Sequence, residues 1–571
     1  MHEALTEAIT VREGIARALE DAGVDMVFGM PGGHTGAIYD ALYDHRETIR
    51  AVLVREESLA GIMAQVYGRM TGRPGVAIGQ AAFMLSASAG ALEAHLSSYP
   101  MVILTDLSVE ARFAHLGAYQ SGSGEYGSWD ARGAFAGFMT ETMLAHGGNQ
   151  SVQATQLALA HANADPGGSV AVLFPREALR GRVTPETAPA IYLGARRPPD
   201  RPRPPAAAVA RVAQLLRAST RVVVVAGNGV HRSQAYTVLG RVAVALGVPV
   251  VTTPGGKSAF VETHELSFGV FGTFGTDLAN ATVGGADVVL AIGTRLAPSD
   301  TANHNPLLLD PSRQTIIQID VDGRNVGWTH PADDALVGDA SEVLELLAEQ
   351  IDVAPLAPSV VGERSAWLAE LRHDHPEADL VSPFEDGKLS LREAITTMSL
   401  RLPESAVVCA DAGENRIFLT RFFQTKRTGS FVQASGIGTM GYAIPAALSA
   451  KLVHPDRPVV AVCGDGGFAM SMSGLLTAIE EDIPIVVVVL NNAALGWVVH
   501  GQRARPIACS FGAHDFAALA SAMGCDARHV STPAALAAAL DESMDAKVAT
   551  VIEVQVSLSD SYEDITSPLA G

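Results

Sequence analysis

Side chains at the ends of two predicted strands have the types and the spacing to hold a metal ion and a phosphate group. The strand PVVAVCG ends in GDGG at 464–467, and the strand IPIVVVVL runs into NN at 491–492. The stretch between them has helical spacing, so we expect parallel strands whose carboxyl ends meet at one sheet edge. Asp465 and Asn492 would then offer the oxygen ligands that suit Mg²⁺, while the glycines would let the backbone approach a diphosphate. An isolated GDG is only a tight turn, but this strand–helix–strand context predicts a phosphate and metal site.

The elements around this segment predict an α/β fold of three consecutive doubly wound parallel-sheet domains. Short apolar strands alternate with longer amphipathic stretches, which is typical of βαβ units whose strands are buried on both faces. Two proline-rich stretches, 195–208 and 353–363, are typical of linkers. They divide the chain into blocks of 1–190, 205–352 and 375–571, which agrees with about 150 residues per domain.

Composition limits the class of protein. The chain has 571 residues, of which 48% are hydrophobic and 18% charged, and its net charge is −21. Such a chain can bury large cores, and its acidic balance argues against nucleic-acid binding. Four scattered cysteines without a C-x-x-C pair are typical of a reducing cytoplasm. The first residues, MHEALTEAITVREGIARALEDAG, have helical spacing without a signal-peptide pattern, and no apolar run approaches the roughly 18 residues of a membrane span. We therefore expect a cytoplasmic protein without nucleic-acid or membrane partners.

Four segments, in matching order and spacing, resemble the thiamine diphosphate-dependent enzymes. The stretch from GDG to NN is similar to their cofactor signature, and 27–42 is similar to the first strand and loop of their pyrimidine-binding domain. The segment 54–79 is similar to their glutamate-bearing helix, and 434–450 to the segment that shapes the cofactor. The resemblance covers the whole chain and points to the acetolactate synthase, benzoylformate decarboxylase and pyruvate oxidase group. It implies that the three blocks are, in order, a pyrimidine-binding domain, a central Rossmann-like domain and a diphosphate- and Mg²⁺-binding domain.

The resemblance implies that Glu57 is the catalytic glutamate. A carboxylic acid that hydrogen-bonds the aminopyrimidine ring favours the imino tautomer, which can take a proton from the thiazolium carbon. An apolar pocket would raise the pKa of this glutamate and keep it protonated. From the residues alone, Arg55, Glu56 and Glu57 favour a solvated charge cluster at a helix start. Glu56 stands where relatives commonly carry histidine.

The resemblance also implies a set of residues around the cofactor. Asp465, Asn492 and the carbonyl of Ala494 would ligate the metal, and the carbonyl of Gly438 would accept from the aminopyrimidine amine. Met440 would force the two rings into a V, although methionine is also common core filler. The backbone of Glu414 is expected to matter more than its carboxylate, which would stand beside two phosphates. The full set of expected cofactor-binding residues is Gly413, Glu414, Asn415, Gly438, Met440, Gly464, Asp465, Gly466, Gly467, Asn492, Leu495 and Gly496.

Residues that face the substrate are suggested by the loops that border the reacting carbon in relatives. Gly33 and His34 follow the PGG turn, and Gln80 stands where some decarboxylases place a histidine. His34 and Gln80 could hydrogen-bond a substrate carboxylate or carbonyl, although a lone histidine is more often structural. Weaker candidates are Tyr119, Gln120, Trp497 and His500. The segment SGSGEYGSWD at 121–130 has no evident role. The polar segment 557–571 could form a lid, but it is expected to be a mobile tail.

Thiamine diphosphate is an electron sink, so the implied reaction breaks or forms a bond next to a carbonyl. The expected reaction is 2-oxo acid decarboxylation with carboligation, as in acetolactate synthase. Two departures oppose that enzyme itself: Ser299 replaces a second arginine after GTRL, and Gly501 replaces a tryptophan that governs acceptor choice. Simple decarboxylation, flavin-dependent oxidation and a non-catalytic regulatory role stay open. FAD is compatible with the central block and is not required by it. The family further implies a homodimer as the minimum active unit, or a tetramer.

Overall fold

The structure is a computed structural model that describes residues 3–107, 122–186, 191–194, 200–376 and 388–566. It contains three six-stranded sheets whose strands pair in parallel, and helices flank each sheet. The predicted fold class is confirmed. Among the described residues, no helix combines the length and the apolar character needed to cross a membrane. The weak candidates Tyr119 and Gln120 lie outside the described residues, as do the linker residues 195–199 and the tail residues 567–571.

The first sheet has the order β4-β3-β5-β6-β8-β7, and two short antiparallel ladders, β1 with β10 and β2 with β9, lie outside it. The strands are β1 (Glu3–Ala4), β2 (Ile9–Thr10), β3 (Met26–Gly29), β4 (Arg50–Leu53), β5 (Gly75–Gly79), β6 (Met101–Leu107), β7 (Glu141–Leu144), β8 (Ser169–Pro175), β9 (Arg182–Val183) and β10 (Tyr192–Leu193). The helices are α1 (Val11–Asp21), α2 (Gly36–Asp44), α3 (Glu57–Thr71), α4 (Ala81–Met84), α5 (Ser88–Ser97), α6 (Ala131–Ala136), α7 (Gly148–Ala162) and α8 (Arg176–Leu179).

The middle sheet has the order β13-β12-β11-β14-β15-β16. Its strands are buried on both faces: Val222 and Val224 belong to the core on one side, and Val223 and Val225 to the core on the other. The strands are β11 (Val222–Ala226), β12 (Val250–Thr252), β13 (Ser267–Val270), β14 (Val288–Ile292), β15 (Thr315–Asp320) and β16 (Asp334–Val337). The helices are α9 (Ala206–Ala218), α10 (Asn228–Ser233), α11 (Tyr236–Leu246), α12 (Asp277–Gly285), α13 (Ala340–Ile351) and α14 (Pro358–Asp374).

The last sheet has the order β18-β17-β19-β20-β22-β21. Its strands are β17 (Val407–Ala410), β18 (Phe431–Gln433), β19 (Val459–Gly464), β20 (Val486–Asn491), β21 (Asp526–Val530) and β22 (Thr550–Gln555). The helices are α15 (Leu391–Arg401), α16 (Glu414–Phe422), α17 (Ala443–Val453), α18 (Asp465–Ser471), α19 (Gly474–Glu480), α20 (Gly496–Gln502), α21 (Phe516–Ala522) and α22 (Pro533–Ser543). When strands are numbered within each sheet, the first and last sheets share one order, 2-1-3-4-6-5, and the middle sheet has the Rossmann order 3-2-1-4-5-6.

The chain forms two compact units that do not follow the three sheets one to one. The first unit contains Met1–Pro199 together with Ile444–Asp456 and Met470–Ile485, and the second contains the rest. Helices α17 and α19 thus belong to the first unit, where Ser449 Oγ donates a hydrogen bond to the carbonyl of Met63 at 2.8 Å. The boundaries of the three sequence blocks stay a prediction.

Three local expectations are wrong. The helical pattern of the first residues becomes a helix only at Val11, because residues 9–10 pair with β9 and the Thr10 side chain caps the helix. The helix expected after GDGG begins at Asp465 itself and is interrupted between α18 and α19. The linker expected at 353–363 is helical from Pro358 onward, since proline is well suited to the first position of a helix.

A buried ion pair between β12 and β13 contacts the segment after α16 within the second unit. Lys257 Nζ donates to both carboxylate oxygens of Glu262, at 2.7 and 2.8 Å, and to the carbonyl of Phe423 at 2.7 Å. The Lys257 side chain is 2% exposed. We expect Lys257→Met to lower the free energy of unfolding by about 3–5 kcal/mol, because it leaves the Glu262 carboxylate buried without its cation. Thermal unfolding checks this against Lys547→Met, which removes an exposed lysine; equal midpoints for the two variants would contradict it.

Candidate active site

The turns after β3 and β5 meet at the carboxyl edge of the first sheet. These two strands are neighbours where the strand order reverses, which is the place where open α/β sheets bind ligands. Gly33 follows β3 with a φ of +51°, and a Cβ on it would lie 2.2 Å from Gln80 Nε2. Glycine at 33 therefore allows the close approach of the two turns. The structure brings together Gly33, His34 and Gln80, the residues predicted to face the substrate.

A carboxylate that the sequence analysis did not single out links these turns. Asp106 lies near the end of β6, which pairs with β5, and it is 4% exposed. Its Oδ2 accepts a hydrogen bond from the N–H of His34 at 3.0 Å, and its Oδ1 accepts one from the N–H of Ala81 at 3.1 Å. The signal was present in MVILTDL, where one acidic residue interrupts an apolar strand at its carboxyl end. Burial lowers the pKa of the His34 imidazole, against the opposing charge of Asp106.

Glu57 begins α3, and its side chain is buried while those of its neighbours in sequence make surface contacts. Glu57 is 7% exposed. Arg55 is paired with Glu480, and Glu56 accepts a hydrogen bond from Ser58 Oγ at 2.6 Å. The interpretation as a solvated charge cluster therefore fits Arg55 and Glu56 but not Glu57.

The surroundings of Glu57 favour its protonated form. Burial raises the pKa of Glu57, and the nearby charge of Glu56 raises it further. The Cγ of Glu57 lies 3.6 Å from the Cβ position of Gly79, at the end of β5. Burial raises the pKa of the Tyr39 hydroxyl, and the nearby charge of Glu57 raises it further. The Tyr39 hydroxyl donates its hydrogen bond to the carbonyl of Ile78, at 3.0 Å, and not to Glu57. A protonated Glu57 is the state that proton transfer with an aminopyrimidine requires.

The corresponding edge of the last sheet is organised by a second buried carboxylate, Asp411. It follows β17, which is the neighbour of β19 where the strand order reverses. Its oxygens accept hydrogen bonds from the N–H groups of Ala412 at 2.9 Å, Gly441 at 3.0 Å and Ala443 at 2.9 Å. A Cβ on Gly467 would lie 2.6 Å from Asp411 Oδ1. Asp411 thus fixes the 441–443 segment against the GDGG turn, a role that the sequence analysis missed although DAG at 411–413 ends a strand.

The GDGG turn is surrounded by three other segments that the sequence analysis proposed. A Cβ on Gly464 would lie 3.0 Å from Asn415 Nδ2, and one on Gly466 would lie 3.1 Å from Met440 Cε and 3.0 Å from Leu495 Cδ2. The structure therefore gathers the expected cofactor residues of the 413–415 turn, the 438–440 segment, the GDGG turn and the 492–496 turn at one sheet edge.

Two of the three proposed metal ligands, the side chains of Asp465 and Asn492, converge on the backbone N–H of the third residue, Ala494. The N–H of Ala494 lies 3.2 Å from Asp465 Oδ2 and 3.1 Å from Asn492 Oδ1, so both side-chain oxygens point toward the same turn. The turn is held by Asn491, whose Oδ1 accepts from the N–H of Ala493 at 3.0 Å. Ala493 has a φ of +58°, which is unusual for a residue other than glycine. Burial raises the pKa of Asp465 despite the N–H groups that favour its ionised form.

One oxygen of the Glu414 carboxylate is held by two donors from later in the chain. Its Oε1 accepts from His500 Nδ1 at 2.6 Å and from the N–H of Tyr562 at 3.0 Å. Tyr562 also stacks on Trp497, with ring centroids 4.0 Å apart. Trp497 and His500 therefore pack the segment around Tyr562 onto the site, and the expectation of a mobile tail is wrong for the described part of it.

These groups fit a diphosphate and a hard metal ion. The donors are a carboxylate, an amide oxygen and a backbone carbonyl, which is the oxygen set that Mg²⁺ takes together with phosphate and water. Glu414 Oε2 is a buried oxygen without a hydrogen-bond partner, and it lies 2.4 Å from the Cβ position of Gly496. Any side chain at 496 would fill this space, so glycine keeps the edge open beside Asn492.

Asp411 gives the apoprotein a specific pH dependence. Burial raises the pKa of Asp411 from 3.8 to about 6, so between about pH 4 and pH 6 the folded protein holds a proton that the unfolded chain has released. The stabilisation is therefore present at low pH and lost as pH rises through this window, by about 3 kcal/mol in all. We expect the thermal midpoint of the wild type to fall relative to that of Asp411→Asn between pH 4 and pH 7. Parallel midpoint profiles would contradict the assignment.

Comparison with known sequences decides the family. Residues 9–122 match the thiamine pyrophosphate enzyme N-terminal TPP binding domain, residues 209–347 match the central domain, and residues 411–554 match the C-terminal TPP binding domain. The chain is 30% identical over 536 residues to the acetolactate synthase of Mycobacterium bovis, covering 91% of this chain and 83% of that protein. The chain belongs to the thiamine pyrophosphate (thiamine diphosphate) enzyme family. It is a thiamine diphosphate-dependent enzyme, as the resemblance implied.

Two further relatives are similar over nearly their full lengths. The acetolactate synthase isozyme 3 large subunit of Escherichia coli is 30% identical over 559 residues, which are 94% of this chain and 93% of the relative. A probable acetolactate synthase large subunit of Methanocaldococcus jannaschii is 30% identical over 551 residues, or 93% and 89% of the two chains. Glu57 lies in the matched N-terminal domain, and the GDGG segment lies in the matched C-terminal domain.

Proposed function

We propose that this thiamine diphosphate enzyme uses Mg²⁺ to decarboxylate a 2-oxo acid and to join the remaining fragment to a second carbonyl compound. The observation that carries the proposal is the convergence of Asp465, Asn492 and Ala494 on one turn, in a chain similar to acetolactate synthases over most of its length. Ser299 and Gly501, at the positions noted above, favour an acceptor other than that of acetolactate synthase.

Each proposed residue has a defined task. Asp465, Asn492 and the carbonyl of Ala494 would hold Mg²⁺, and the glycine turns at 464–467 and 495–496 would admit the diphosphate. Glu57 would hold the aminopyrimidine ring and keep a proton at its carboxyl group. When bound, thiamine diphosphate supplies the electron sink for cleavage next to a carbonyl. His34 and Gln80 would orient the substrate at the first-sheet edge.

A substrate panel tests the reaction. The protein reconstituted with thiamine diphosphate and Mg²⁺ is offered a series of 2-oxo acids, each with and without an aldehyde or a second 2-oxo acid. Products are identified by mass, and the Glu57→Gln variant serves as the blank. A ligated product that requires the second carbonyl compound supports the proposal. An aldehyde alone would make the enzyme a simple decarboxylase, and oxygen consumption with a carboxylic acid product would make it an oxidase.

A homodimer is the proposed minimum active unit, with Glu57 of one chain acting on the cofactor held by Asp465 of the partner subunit. Mixing inactive Glu57→Gln with inactive Asp465→Ala then restores activity, because each mixed dimer contains one site with neither substitution. Mixing after joint unfolding and refolding, or by coexpression, allows subunits to exchange. Persistent inactivity of mixed dimers, isolated through a different affinity tag on each variant, would contradict the shared site.

Three remaining assignments are also proposals. FAD binding in the central domain is supported by the glycine turns after β11 and β14, where a Cβ on Gly229 would lie 2.5 Å from Gly293 Cα, at the reversal point of that sheet. Visible absorbance of the purified protein tests it. A cytoplasmic location is supported by four buried cysteines, none of which forms a disulfide bond. The three blocks 1–190, 205–352 and 375–571 are proposed as the pyrimidine-binding, central and diphosphate-binding domains.

A further inference from the structure

The buried carboxylate of Asp106 occupies an unusual position among the residues that face the substrate. It lies within hydrogen-bond distance of two separate turns, one carrying Gly33 and His34 and the other carrying Gln80 and Ala81. These turns come from strands β3 and β5, and Asp106 comes from β6, so three neighbouring strands meet at one side chain. The carboxylate contains two acceptor oxygens, and each receives one backbone N–H.

The Asp106 carboxylate also lies very close to the two turns whose N–H groups it accepts. A Cβ on Gly33 would lie 3.0 Å from Asp106 Oδ2 and 2.8 Å from the amide carbon of Gln80. Thr105, the residue before Asp106, donates from Oγ1 to the carbonyl of Gly79 at 2.7 Å and holds β6 and β5 in register at this edge. Hydrogen bonds from N–H groups to a carboxylate are stronger than those to a neutral acceptor. The two turns are therefore fixed relative to one another through Asp106.

We propose that Asp106 is a positioning residue that sets substrate affinity by holding His34 and Gln80 at a fixed separation. The inference rests on the proposed function for the identity of the substrate, but its structural part does not. The two N–H groups are used by Asp106, so the side chains of His34 and Gln80, rather than these backbone donors, meet the carboxylate or carbonyl of the 2-oxo acid. Small displacements of positioning groups are costly, because binding and reaction both depend on orientation.

The test uses two substitutions with graded effects. In Asp106→Asn one oxygen becomes an NH₂ group, so in either orientation one backbone N–H loses its acceptor; in Asp106→Ala both N–H groups lose theirs. We expect the KM for the 2-oxo acid to rise by about tenfold in the first variant and about a hundredfold in the second. Thiamine diphosphate affinity should change little, while the thermal midpoint should fall with the number of buried N–H groups left without an acceptor. A rise in KM without a comparable fall in kcat separates positioning from a general structural defect.

Hydrogen exchange in the apoprotein, resolved to single amides by mass spectrometry, gives a readout that does not depend on turnover. The amides of His34 and Ala81 should be protected in the wild type and should exchange at least about tenfold faster in Asp106→Ala. Asp25→Asn is the matched control: Asp25 precedes β3 at the other end of the same sheet, where it accepts from the Tyr67 hydroxyl at 2.5 Å. It should leave both amides and the KM unchanged.

Each outcome decides the proposal. Fast exchange of the His34 and Ala81 amides in the wild type would overturn the proposal. This measurement needs no variant, so it decides the proposal even if Asp106→Ala does not fold. Equal KM values in wild type and Asp106→Asn, or an equal effect of Asp25→Asn, would also overturn it. If no 2-oxo acid is turned over by the wild type, the proposed function fails, while the exchange data still decide whether Asp106 fixes the two turns.

Discussion

Replacing Glu57 by glutamine should remove turnover while leaving the fold and thiamine diphosphate binding intact. The side chain is buried and its pKa is raised, so the folded protein favours a neutral carboxyl group that glutamine matches in size and charge. Glutamine cannot exchange a proton with the aminopyrimidine ring. We expect kcat to fall by about 10²–10⁴-fold, the usual contribution of general acid–base catalysis. Steady-state kinetics, cofactor titration and thermal unfolding of the same preparation measure the three quantities.

The adjacent glutamate provides the control. Glu56→Gln changes the same functional group one residue away, where the carboxylate accepts a hydrogen bond from Ser58 and acts on Glu57 through its charge alone. It should retain most of the activity. Comparable losses in the two variants, or substantial turnover in Glu57→Gln, would show that Glu57 is not the catalytic acid.

The pH profile gives a further check on the same residue. Because burial raises the pKa of Glu57 above 4.5, the protonated form persists to higher pH than in an ordinary glutamate. Activity that depends on this proton is lost as pH rises through the pKa. The kcat/KM profile of the wild type should show this descending limb, and the residual activity of Glu57→Gln should lack it.

Replacing Asp465 by alanine should weaken the binding of both Mg²⁺ and thiamine diphosphate. Loss of a residue that only supports a metal ligand costs about 10–100-fold in metal affinity, so loss of the proposed carboxylate ligand should cost at least about a hundredfold. Cofactor affinity should fall with it, because an ion held by Asp465 would offset the negative charge of the diphosphate. Calorimetric titration of Mg²⁺ at saturating cofactor, and of cofactor at saturating Mg²⁺, measures both effects.

Two variants separate ligand loss from local damage. Asp465 Oδ1 accepts from the N–H of Gly466 at 2.7 Å and Oδ2 from that of Ala494, so alanine also removes these contacts. Asp465→Asn keeps the shape and part of this bonding while removing the charge, and it should lose metal affinity with little change in thermal midpoint. Asp526→Ala, at an exposed strand position, should bind normally. Unchanged affinity in both Asp465 variants would place the phosphate site elsewhere.

Much of the candidate site was predictable from local sequence because it depends on the carboxyl ends of parallel strands. GDGG and NN each follow an apolar strand, and β19 and β20 do pair in parallel with Gly464 opposite Leu490. Asp106 and Asp411 were not singled out, since neither carries a motif and each acts on turns far away in sequence. The Glu57 side chain shows the same limit: Arg55, Glu56 and Glu57 look alike as a sequence, and only burial distinguishes the third.

The sequence by itself determined the three parallel sheets, the family and the turns that carry the cofactor motifs, because strand hydrophobicity and glycine turns are encoded by neighbouring residues. The tertiary structure decided which carboxyl groups are buried, which backbone N–H groups they bind, and that α17 and α19 join the first unit. These features depend on contacts between residues from 25 to 386 positions apart in the chain. Burial sets the pKa of a carboxyl group, and burial is a property of the assembled fold rather than of any local segment.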